Sequence, residues 1–133
     1  MWPFNKPSSP EPVTVGGLTA SFSRQVEQWE LTVDGIDFTY GPRDLDLAIF
    51  EWARTLAPMV QQLKEPILAA ARNSVSDWDK LRTESAEILS VDLSEYPSMG
   101  LASVDVTGDD SWGDLGVTVV LKNGQIIAVD SGD

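Results

Sequence analysis

Five aspartates fall in the final 25 residues of this 133-residue chain, at Asp109, Asp110, Asp114, Asp130 and Asp133. Carboxylate sets of this kind suit a hard cation such as calcium, which takes about six to eight oxygen ligands. Asn123-Gly124 has the composition of a two-residue hairpin turn. That turn sets Lys122 opposite Gln125, Val117 opposite Asp130 and Asp114 opposite Asp133. Asp109 and Asp110, in the preceding loop, end at the same place. The predicted outcome is an acidic cluster at one end of a sheet, a candidate cation site. The loop lacks the D-x-D-x-D-G run of an EF-hand and has no Glu at its twelfth position.

The same acids offer a second chemistry. Trp112, flanked by Asp109, Asp110 and Asp114, has the make-up of an aromatic anchor ringed by negative charge, suited to capturing a basic protein. An inward-facing Trp112 that caps the core is the competing expectation.

Enzymatic chemistry has few materials. Without His or Cys there is no imidazole base, no Ser–His–Asp triad, no thiol nucleophile and no thiolate metal centre. Glu27, Glu30 and Glu51 are acids without an evident cleft to raise one pKa above another, as glycoside chemistry requires. G-x-S-x-G, H-E-x-x-H, S-x-x-K and phosphate-cradling loops are all absent from the sequence. The expectation is a protein that is not an enzyme and carries no cofactor.

The charge balance narrows the partners. Nine Lys and Arg stand against 21 Asp and Glu, a formal net charge of -12. That field repels phosphate backbones and anionic lipid and accelerates encounter with a basic protein. Neither nucleic acid nor membrane is an expected partner, and no stretch approaches the ~20 apolar residues of a membrane span. A cytoplasmic location is the corresponding expectation.

Elements must position these groups. Residues 1–12 hold four prolines and read as an extended tail bearing Trp2 and Phe4; residues 13–133 read as one domain. Residues 18–24 alternate weakly as a first strand. Trp29 to Val33, Asp34-Gly35, then Ile36 to Tyr40 is a hairpin pattern that pairs Trp29 with Tyr40, Leu31 with Phe38 and Val33 with Ile36 on one face. Leu45, Ile49, Trp52, Leu56, Met59, Leu63 and Ile67 form a helical stripe interrupted by Pro58 and Pro66. Ser76 is placed to cap a shorter helix running through Trp78 and Leu81; residues 88–93 suit helix or strand equally.

Ala102, Val104 and Val106 alternate as a strand. Leu115–Lys122 and Gln125–Val129 form a second hairpin, apolar on both faces and therefore expected at the centre of the sheet or covered twice. The predicted fold is α+β: one mostly antiparallel sheet of five to six strands packed on a long Pro-interrupted helix plus a shorter one. In outline it resembles small bacterial β–α–β domains, some immunity proteins among them, but that outline is shared by unrelated folds, supplies no motif and licenses no function by itself. The leading expectation is non-enzymatic binding of a basic protein. A small-molecule or cation-binding accessory domain is the second, and exposed edge strands permit a monomer or an edge-paired dimer.

Overall fold

The computed structural model describes residues 9–131. Within them the chain forms one sheet of eight strands: β1 (Val13–Val15), β2 (Leu18–Ser23), β3 (Gln28–Val33), β4 (Ile36–Tyr40), β5 (Glu87–Asp92), β6 (Leu101–Thr107), β7 (Val117–Lys122) and β8 (Gln125–Asp130). The strands lie side by side in chain order, antiparallel throughout except at β4–β5. That parallel pair requires a crossover, and the crossover carries α1 (Ile49–Gln62) and α2 (Lys64–Ser74). A single turn, α3 (Tyr96–Met99), joins β5 to β6.

The predicted first hairpin forms with the expected pairs, Trp29–Tyr40, Leu31–Phe38 and Val33–Ile36. Asp34 and Gly35 both adopt positive φ, 51° and 79°, as a two-residue turn matched to strand twist demands. Gly16-Gly17 makes an equivalent turn between β1 and β2, so the sheet is wider than the sequence pattern predicts. Val13-Thr14-Val15 is too short to announce itself by alternation. It is held where the Arg54 guanidinium of α1 donates to the Gly16 carbonyl.

The helical rod divides at Leu63. Pro66 occupies the first turn of α2, where a missing N–H costs nothing because no intrahelical acceptor awaits it. Pro58 remains inside α1. The buried stripe is rotated from the predicted one: Ile49, Phe50, Ala53, Leu56, Ala57 and Val60 face the sheet, while Trp52, Met59 and Leu63 are flanking, partly buried residues. Trp52 packs on Tyr96 at 5.3 Å between ring centroids. Both helices lie on one face of the sheet, over Trp29, Leu31, Phe38, Val91, Val104, Val119 and Leu121, all buried.

Three expectations are corrected. The shorter helix after Ser76 does not form. Residues 76–86 are turns with a 3-10 turn at Thr83–Ser85, and 87–92 is a strand, because pairing with β6 buries Val91 in the core. Trp78, which that helix was to carry, is consequently 40% exposed. The second hairpin lies at an edge of the sheet. A bulge between Val120 and Leu121 shifts its register so that Asp130 opposes Thr118 rather than Val117, and Ile127 is left 53% exposed. No described helix is long and apolar enough to cross a membrane.

Candidate functional site

The loop that sequence spacing singles out is built as a clasp. Asp109 Oδ1 accepts from Ser111 N at 2.9 Å and Ser111 Oγ at 2.5 Å. Its Oδ2 accepts from Arg82 Nε at 2.6 Å. Trp112 turns inward, 3% exposed, and its indole Nε1 donates to the Arg82 carbonyl at 2.9 Å. Ser85 Oγ donates to the same carbonyl at 2.7 Å and accepts from Asp109 N at 3.0 Å. A Cβ on Gly108 would overlap both the indole and Ser85 Oγ, so only glycine lets these two loops close. The clasp seals one end of the core and fixes the approach to β5.

This arrangement decides what the predicted site residues can do. The Ser111 hydrogen bonds, with Arg82, hold the Asp109 carboxyl down to about 2, and both its oxygens are engaged by protein donors. Trp112 is the core cap, so it offers no surface to a partner. Asp110 and Asp114 are exposed in and after the 3-10 turn at Asp110–Trp112. Asp130 stands on β8 opposite Thr118, and Asp133 lies outside the described residues, as do Trp2 and Phe4. Among the described residues no three carboxylates converge as metal ligands.

A different surface concentrates functional groups. Helices cover one face of the sheet, and strand parity assigns the other to polar side chains. One row crosses from β2 to β8 as Ser21, Glu30, Thr39, Asp92, Ser103, Val120 and Ala128. A second runs over β5–β8 as Ser90, Asp105, Thr118 and Asp130, with Asp37 and Thr32 continuing it across β4 and β3. Hydroxyls pin the acids: Thr32 Oγ1 donates to Asp37 at 2.6 Å, Thr39 Oγ1 to Asp92 at 3.1 Å, Ser94 Oγ to Asp92 at 2.8 Å and Thr118 Oγ1 to Asp105 at 3.0 Å. Arg and Lys are placed elsewhere, on loops and helices. Lys122, at the end of β7, alone among the described basic residues has this face's parity.

Half-burial is the main force raising the Asp105 carboxyl above the ordinary carboxylate range; the charge of Asp92 adds to it, and hydrogen bonds from Thr118 and Ser90 oppose it. A carboxyl lifted beside a second one is the ingredient of acid–base catalysis. Here, however, the two sit on the broad middle of a sheet face, tied to Ser and Thr.

No protein-family model, curated protein or solved structure matches the chain. Fold and surface chemistry therefore carry the functional argument. Spacing draws the eye to the C-terminal acids and misses the open-face set, whose members are far apart in sequence. The available signal was parity: Glu30, Asp37, Asp92 and Asp105 each occupy the non-core phase of their strand, and strand order then brings them together.

Proposed function

We propose that this chain is a non-enzymatic binding module that docks a basic protein on its uncovered sheet face. The observation that carries the reading is the segregation of charge: Glu30, Asp37, Asp92, Asp105 and Asp130 share that face, with Lys122 at its margin. A rigid β-layer with hydroxyl-pinned carboxylates is pre-organised for cationic side chains, which lowers the ordering cost of association. Its field adds to the overall charge of -12 and steers such a partner to the correct side.

The test compares two variants of equal charge change. One combines Glu30→Gln, Asp37→Asn and Asp92→Asn on the open face; the other combines Glu51→Gln, Glu65→Gln and Asp79→Asn elsewhere. Immobilised wild type is expected to retain a basic protein from native extract at low salt and release it at high salt. The second variant should retain it and the first should not. Equal retention by both variants, or retention indifferent to salt, would overturn the reading.

A further inference from the structure

The open face is not uniform. Over β4 it carries a depression of about 370 Å³ lined by Glu30, Thr32, Asp37, Thr39, Leu89 and Ser90, among others. A second depression, of about 330 Å³, lies round the end of the sheet between the β3–β4 turn and the α1–α2 junction. Asp37 and Leu89 line both, so the groove over β4 ends at these two side chains. Leu89 reaches this position because the β5 register slips between Ile88 and Ser90; bulges commonly re-aim a side chain in this way. It stands 60% exposed, an isobutyl group beside the hydroxyls and carboxylates of β3 and β4.

Glu30 of β3 and Asp37 of β4 line the same depression, both on one side of Leu89. Their positions are diagonal across the β3–β4 ladder, a spacing of about 7–8 Å. Asp37 is held by Thr32, and neither acid forms an ion pair among the described residues. Lys64 is set apart, in the depression beside the helices.

Resting on the docking reading above, we infer that this groove seats an extended, arginine-bearing segment of the basic partner. Leu89 receives the aliphatic stem, and Glu30 and Asp37 receive the guanidinium. Long cationic side chains lay their methylenes on apolar surface while the head stays polar. A planar guanidinium with five N–H donors can satisfy two carboxylates at once, which a point-charge ammonium does less well. An extended segment sends alternate side chains to the same side, so the rest of the partner's strand can reach Asp92 and Asp105 farther along the face.

The test uses the full chain and a labelled peptide of alternating Arg and Thr, read by fluorescence anisotropy. Glu30→Gln with Asp37→Asn is expected to weaken binding about tenfold or more, and Asp92→Asn with Asp105→Asn about twofold or less. Leu89→Ser, which changes no charge, should weaken binding without altering its salt dependence. The Lys counterpart of the peptide should bind several-fold less well. Glu30, Asp37 and Leu89 are all exposed, and unchanged melting temperatures of the variants at these three positions verify the fold.

Equal losses from both acid pairs would overturn the groove while leaving the face reading intact. An unaffected Leu89→Ser variant would do the same, as would a peptide that fails to bind while the basic partner is still captured. Equal binding of the Lys peptide would overturn the guanidinium assignment. Loss of face-dependent capture of the protein itself would overturn the docking reading and the groove with it.

Discussion

Asp109 and Asp105 illustrate opposite ways in which a carboxyl is built into this protein. Asp109 is held down by Ser111 and Arg82. A depressed acid stabilises the fold above its unfolded pKa and loses that contribution as pH falls toward its folded value, here from about 4 to about 2. Ser111→Ala, which removes the hydroxyl bonds to Asp109 and to Arg82 N, should move the Asp109 midpoint upward in a carboxyl NMR titration. Asp105 is held up, first by burial and then by Asp92. The sign reverses: protonation favours the folded state, so stability falls as pH rises through the interval between its unfolded and folded values. Asp105→Asn retains an acceptor for Thr118 and should raise the melting temperature at neutral pH, with the gain vanishing in acid. A neutral-pH melting temperature at or below wild type would contradict this account.

Individual elements differ in how openly they were written. The β3–β4 hairpin was legible because three cross-strand apolar pairs and Asp34-Gly35 all specify the same register. Gly35→Ala places a side chain at φ 79° and should cost about 1–2 kcal/mol in denaturant unfolding, whereas Gly116, whose φ is not in the left-handed region, should tolerate alanine better. The helical stripe was legible in extent but not in phase. The mismatch lies in α1, where Phe50, Ala53, Ala57 and Val60 complete the buried face in place of Trp52 and Met59, while Ile67 of α2 is buried as expected. Residues 76–89 were illegible locally, because their helical spacing is overridden by pairing with β6 and by the Ser85–Arg82–Trp112 clasp. The inward turn of Trp112 follows from its indole partner, Arg82, 30 residues away, which no local pattern records.

On the scale of the whole molecule, the α+β class followed from the succession of strands, helices and strands, while strand number and the placement of β8 at an edge did not. Core membership was clearer: Phe38 is fully buried, and Phe38→Ala should lower stability by about 3–5 kcal/mol. All seven neighbouring strand pairs are consecutive in the chain, and six of the seven junctions are closed by short connections. The remaining junction, β4–β5, is registered by only two residue pairs, Phe38–Val91 and Thr39–Asp92, reinforced by Leu93 N donating to the Thr39 carbonyl at 2.8 Å.

That narrow parallel junction makes the sheet a pair of four-stranded leaves stitched along a seam. The seam is the natural place for the molecule to be opened and rejoined. Cleavage in the exposed turns near Asp79 would yield one leaf carrying both long helices and another carrying the clasp loop, each leaving apolar surface that only its counterpart covers. Mixed in solution, the two pieces should reassemble through that surface, giving a split protein whose recombination can report on proximity in a way the intact chain cannot.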